Sequence, residues 1–287
     1  MEEDVLKKYR LAHDISDEVI DFARPLVKEG ARILDVAEEI EDRIFEMKAM
    51  PSWPVNFSIN EFAAHVTPGI DDQTILKEGD LVKVDIGCQV DGYISDRAFT
   101  VFVGHKTHPL IETSEKATKA ALDALKPGVK VSEISAIIED IVVGAGFNPI
   151  RNLAGHSMAQ NSQHEPPSIP NGRTNDQTEI LEGTPLAIEV FTTDGSGWVK
   201  ESSPTTIYKF LQNKPVRLTE GRRILEMAKN EFDMLPFATR WLEGISPVKL
   251  GMALRQLVEA EALECFPPLK EESGGMVAVY EDTRIVL

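Results

Sequence analysis

Five side chains able to do chemistry stand where a β-sheet would ordinarily place apolar residues. Asp85 and Asp96 interrupt two runs rich in Val, Ile, Phe and Tyr, LVKVDIGCQV and YISDRAFTVF. His156 sits in NLAGHSMAQ, Glu189 in LAIEVFTT and Glu281 in MVAVYEDTRIVL. The first two runs flank turn chemistry at Gln89 to Gly92 and read as a hairpin. Pairing about Val90 and Asp91 sets opposite each other residues whose numbers sum to 181. Asp85 would then face Asp96 with Cβ atoms roughly 5 Å apart. Two ionised carboxylates that close repel each other and lose solvation unless a cation lies between them. Four carboxylates and an imidazole, with no cysteine, are hard to borderline ligands suited to Mn, Co, Fe or Zn. Such a set can hold two ions about 3.5 to 4 Å apart and activate a water at neutral pH, which is hydrolase chemistry.

These residues need strands to carry them and helices to cover the strands. Residues 3 to 30 read as helical, ending at Lys28-Glu29-Gly30. Ile33, Ala37, Ile40, Ile44 and Met47 recur at spacings of three or four, and Pro51 and Pro54 stop that second helix. After the hairpin come two further helical patterns, Pro109 to Leu125 and Ser132 to Val143, the latter with Ser132 as N-cap. Strand-like sequence around His156 and Glu189 follows. The order α,α,β,β thus occurs twice, which suggests two related halves facing each other. From Leu218 to Pro268 the pattern turns helical, and the final segment returns to a strand. The chain divides into a main domain, residues 1–217 and 269–287, and a helical insert, 218–268, in which Trp241 is expected to be core.

Composition removes several classes. The 287 residues carry 47 acidic and 30 basic side chains, a net charge of -17 that works against nucleic acid or anionic lipid as partner. Three short helices in the insert could suggest a DNA-reading unit, but residues 219–266 hold six Lys or Arg against eight Asp or Glu. No apolar run has the length of a membrane span, the N-terminus lacks a signal core, and two cysteines make no disulfide framework, so a cytoplasmic location is expected. His105 and His108 read as exposed loop residues. Cys88 lies in no cysteine-protease pattern, and Ser157 in no G-x-S-x-G elbow.

The run Asp80 to Gly92, followed by Asp96, resembles the signature of type II methionine aminopeptidases. NEFAAHVTP with His65, NLAGHSMAQNSQH with His156 and His164, AIEVF with Glu189 and VYEDT with Glu281 match in the same order. The absence of a basic N-terminal extension resembles the short archaeal form. The resemblance implies an α+β pita-bread fold, a curved, mainly antiparallel sheet flanked by helices with pseudo-twofold halves, plus the small insert. It implies two divalent ions, Co, Mn, Fe or Zn. Asp85 would hold one, Asp96 and Glu281 would bridge both, and His156 and Glu189 would complete the second. His164 would meet the scissile carbonyl, His65 the nearby substrate backbone and Glu189 the proton of the attacking hydroxide. Trp53 would wall the methionine pocket.

The implied activity is removal of the initiator methionine from nascent polypeptides whose second residue is small, at the ribosome, by a monomer that binds neither nucleic acid nor membrane. An Xaa-Pro dipeptidase of the same fold, or a non-catalytic binding homologue, would be the alternatives. The family pattern is departed from at Asp282, where histidine is common, and at Gln163, where an apolar residue is usual. Asp282 adds a negative charge next in sequence to a ligand.

Overall fold

Apolar residues at helical spacing build the helices expected of them. In the computed structural model, which describes residues 1–287, α1 (Glu3–Ala23) and α2 (Ile33–Glu46) bury Ile15, Val19, Ala37, Ile40 and Ile44. Their cover is one face of β2 (Leu81–Val90), through Val82, Val84, Ile86 and Cys88. A second pair, α3 (Pro109–Ala124) and α4 (Val131–Gly144), packs Ala117, Ala121, Ile134 and Ile138 on Leu186, Ile188 and Val190 of β6 (Pro185–Thr193). The N-cap of α4 is Lys130 rather than Ser132, and the Lys130 amide donates to Glu133 Oε2 at 2.9 Å. His108 is half-buried rather than exposed, because its Nδ1 caps α3 by accepting from the Leu110 amide.

The nine-stranded sheet joins the two halves. Alongside β2 and β6 it contains β1 (Asn56–Ile59), β3 (Tyr93–Phe102), β4 (Ala154–Ala159), β5 (Ser162–Pro170) and β7 (Val277–Ile285). The central order is β2-β3-β7-β6-β4-β5, with β1 pairing β2, and the pairings are antiparallel. The last strand of the chain therefore lies between the halves. Alternation sends Val82, Val84 and Ile86 towards the helices and Asp85 to the opposite face.

The hairpin register differs from expectation by two residues. Asp91 and Gly92, with φ of 52° and 83°, form the two-residue turn, so Val90 pairs with Tyr93 and paired numbers sum to 183. Asp85 pairs with Ala98, and Asp96 with Gly87. The two acids are diagonal neighbours, yet still share a face. A shift of one residue would have sent one of them to the other side.

The segment after β6 contains more than helices. Strand Ile207–Phe210 pairs with Phe237–Ala238 and Leu263–Phe266, and α5 (Thr219–Asn230) and α6 (Pro247–Glu259) pack against this small sheet. The sheet reaches upstream of residue 218, because Tyr208 and Phe210 lie against the same core as the two helices. The third helical piece is only the turn Thr239–Trp241. Trp241 packs against this core and also donates Nε1–H to Glu41 Oε2 of α2 at 3.1 Å.

A buried carboxylate fastens the segment that leads back into β7. Glu271 accepts from the amide and hydroxyl of Ser196 and from the Gly197 amide on one oxygen. The amide and hydroxyl of Ser273 and the Gly275 amide donate to the other. Burial works to raise its pKa, but these donors hold it down to about 2, below the ordinary 4.5. The stability it confers is present above about pH 4.5 and is lost as pH falls towards 2, amounting to about 3 kcal/mol. Glu271→Gln should flatten the acid limb of a pH-dependent urea-unfolding series. An unchanged acid limb would remove this role.

Candidate metal centre

Strand register alone gathers most of the candidate ligands. Asp85 pairs with Ala98, Ala98 with Glu281, and Glu281 with Glu189, so one row crosses β2, β3, β7 and β6. The next row runs Gly87–Asp96 on β2 and β3, then Thr283–Ala187–His156 on β7, β6 and β4. Thr283 Oγ1 ties the two parts of this second row together, accepting from the Asp96 amide at 2.9 Å and donating to its carbonyl at 2.8 Å. Small residues at 87, 98 and 187 leave room between the longer acids and the imidazole.

Two glycines make the approach possible. A Cβ on Gly87 would lie 2.5 Å from the Trp53 ring, so only glycine lets the indole cross this strand. Trp53 Nε1–H then donates to Asp85 Oδ1 at 2.9 Å, and Asn56 Nδ2 donates to Oδ2 at 3.1 Å. A Cβ on Gly155 would lie 2.5 Å from the Ala187 carbonyl oxygen, so glycine also brings His156 against β6.

The donor atoms fit a cation. Ligand atoms of Asp96, His156 and Glu281 lie within 4.8 Å of one another and all three residues are buried. Asp85 and Glu189, half-buried, line the same cavity. None of the four acids pairs with Lys or Arg, and Glu281 Oε1 is sealed without a hydrogen-bond partner. His156 Nδ1 lies 3.3 Å from the Ser157 carbonyl, which can only accept, so the proton belongs on Nδ1. That leaves the Nε2 lone pair facing Asp96 Oδ2 at 3.6 Å, two acceptors that need a proton or a metal between them.

Electrostatics makes the same demand. Burial, then repulsion from the neighbouring acids, pushes the Asp96, Glu189 and Glu281 carboxyls well above their usual range. Burial also raises Asp85, although the Asn56 and Trp53 donors oppose it. A raised native pKa contributes stability at low pH that is lost as pH rises through it. The neutral, buried histidines contribute the opposite slope, so the acids' part is read by difference. Metal-free wild type is expected to lose more stability, or gain less, between about pH 5.5 and pH 8 than metal-free Asp96→Asn, and saturating Mn to stabilise wild type more at pH 8 by competing with the protons. Circular dichroism melts with and without chelator test this. Identical pH dependence in the two metal-free proteins would overturn it.

Two more histidines border the cavity. His164 stacks edge-on against His156, with centroids 4.5 Å apart, and burial and the neighbouring His156 push its pKa down to about 3. Burial brings His156 to about 4, so both imidazoles are neutral at pH 7. His65 holds a left-handed φ of 63°, and its Nδ1 lies 3.3 Å from the Pro267 carbonyl.

Leu153, Phe191, Ile207, Pro236 and Phe266 complete much of the wall, together with Trp53 and Gln163. The sequence reading missed Asn56, Pro236 and Phe266. Asn56 could have been found only from its pairing opposite Asp85, which requires the sheet. Trp53 is more than a wall, since its indole orients Asp85.

Asp282 faces away from the cavity. Its Oδ1 lies 3.1 Å from Arg97 Nε on the helix side of the sheet, and Arg97 also reaches Asp17 of α1 at 2.5 Å. The added charge is thus neutralised on the opposite face from the candidate ligands. Cys88 is sealed in the core against α1 and α2, and burial raises its thiol to about 12, which leaves it protonated.

The sequence matches metallopeptidase family M24 over residues 7–225. It is 43% identical to the methionine aminopeptidase of Thermococcus onnurineus (strain NA1) over 99% of this chain and 96% of that one. Among solved structures, a thermophilic Arx1 superposes with a TM-score of 0.85 at 21% identity, covering 99% of this chain and 88% of its own. The methionine aminopeptidase of Thermotoga maritima gives 0.72 at 20% identity, over 100% and 94%. At such identities the structural likeness shows the fold.

Proposed function

The chain belongs to metallopeptidase family M24, among its methionine aminopeptidases, and from that premise we propose how its residues divide the work of removing an N-terminal methionine. The fold is the pita-bread fold, and the enzyme is a metal-dependent hydrolase. Its substrates in this reading are the N-termini of newly made polypeptides with a small second residue. No helix is long and apolar enough to cross a membrane.

Asp85, Asp96, His156, Glu189 and Glu281 would hold two divalent ions, of Mn, Co, Fe or Zn, with Asp96 and Glu281 shared between them. Bound there, the ions would supply Lewis-acid polarisation of the scissile carbonyl and make water acidic near neutral pH. Glu189 takes the proton of the attacking water on a carboxylate oxygen and passes it to the leaving amine nitrogen. His164, neutral but still carrying one N–H, donates to the carbonyl oxygen as negative charge grows on it. His65 gives its Nδ1–H to Pro267, which leaves Nε2 as an acceptor for a substrate backbone N–H. Trp53 and the apolar wall exclude water around the methionine side chain.

The observation that carries this reading is the convergence of five ligand-type side chains from four separate sequence segments in one cavity, bordered by His65 and His164. Incubation of the metal-loaded protein with Met-Ala-Ser should release free methionine, detected by mass spectrometry. No methionine with any of the four metals would overturn it, and faster cleavage of Xaa-Pro dipeptides would point to a dipeptidase instead.

A further inference from the structure

Apart from the ligand-type side chains, Asn56 and the two bordering histidines, the cavity wall is apolar, yet Gln163 stands in it at 3% exposure. Lys209, on the strand Ile207–Phe210, donates from Nζ to Gln163 Oε1 at 2.9 Å. An ammonium offers three donors and no acceptor, so this contact fixes which end of the amide faces the lysine. The amide nitrogen must face away from it. That nitrogen makes no hydrogen bond with the protein, so its N–H groups are free to donate to a molecule held in the cavity that Gln163 lines. The positive charge behind the carbonyl also polarises the amide and strengthens those N–H donors.

We propose that Gln163, oriented by Lys209, is a specificity-determining residue that offers a hydrogen bond to the end of the substrate's first side chain, and that the enzyme removes methionine sulfoxide as well as methionine. The inference rests on the cavity being the pocket for the N-terminal residue. A thioether sulfur accepts hydrogen bonds weakly, whereas the sulfoxide oxygen accepts strongly and adds one atom to the same flexible chain. A wholly apolar wall would leave that oxygen buried without a partner. The reaction is the same hydrolysis: water adds across the peptide bond, and free methionine sulfoxide leaves with its oxygen intact.

The test compares Met-Ala-Ser with its sulfoxide and norleucine counterparts on metal-loaded protein, as wild type, Gln163→Leu and Lys209→Met. Calorimetry measures the binding of free methionine sulfoxide and free norleucine to the same preparations. In wild type the sulfoxide peptide should be cleaved with kcat/KM within about tenfold of the methionine peptide. The sulfoxide-to-norleucine ratio should fall about tenfold or more in Gln163→Leu, and partway in Lys209→Met, where the amide is retained but free to turn. The calorimetric ratio should fall in parallel. Ratios that agree within about twofold across the three proteins would overturn the proposal. Should Gln163→Leu fail to fold, Lys209→Met carries the comparison. If no peptide is cleaved, the aminopeptidase reading fails, and the calorimetric ratios still decide the preference of the pocket.

Discussion

Asp96→Asn is expected to lower kcat/KM for Met-Ala-Ser by about 10³-fold or more while leaving the fold intact. Asparagine keeps the volume of aspartate, and Thr283 holds residue 96 through its backbone amide and carbonyl rather than its side chain. Strand pairing should therefore survive. The negative charge is lost, and with it one of the buried ligand-type side chains that converge within 4.8 Å. Elemental analysis of the variant should find fewer bound ions than in wild type. The same change relieves repulsion, because Asp96 contributes to raising both Glu189 and Glu281. Metal-free Asp96→Asn should accordingly melt higher than metal-free wild type at neutral pH, a gain in stability accompanying the loss of activity. Activity within about twofold of wild type would overturn the proposed sharing of Asp96 between two ions.

Glu41→Ala should produce the largest loss of stability, about 3 to 5 kcal/mol. Glu41 lies on α2, and its carboxylate meets the Arg240 guanidinium, the Val55 amide at 3.0 Å and Trp241 Nε1 at 3.1 Å. Arg240 in turn donates to Thr67 Oγ1 at 2.7 Å. Both charged side chains are buried, at 7% and 4% exposure, and this cluster pins the turn Thr239–Trp241 to α2. Burial works to neutralise each partner, raising the Glu41 pKa and lowering that of Arg240. Removing one alone therefore leaves an uncompensated buried charge. A drop in melting temperature of roughly 10 °C is the expected reading. Combining Glu41→Leu with Arg240→Met should cost less than the sum of the single changes, since neither charge is then stranded. A Glu41→Ala protein within about 1 kcal/mol of wild type would show that the turn Thr239–Trp241 is held against α2 without this ion pair.

The sequence determined the chemistry and the face on which it occurs. Lone acids in apolar strand runs at 85, 96, 189 and 281 carry their own signal, because alternation forces each onto the side opposite the core residues beside it. The two α,α,β,β halves were legible for the same reason, since Ile40 and Ile44, or Ile134 and Ile138, repeat at a spacing only a helix can bury. Register was less legible. Shifting the hairpin by two residues preserves every face, so the pattern could not distinguish Asp85 opposite Asp96 from Asp85 opposite Ala98.

Tertiary structure decided what depends on contacts between distant segments. The position of β7 between the halves brings Glu281 beside Glu189, although α5, α6 and their small sheet lie between these residues in the chain. Glu41 and Arg240, Trp53 across Gly87, and Gln163 with Lys209 are likewise pairs whose members look ordinary alone. Strand and helix periodicity encode the side a residue takes. They carry no record of which other strand, or which lysine, will lie against it.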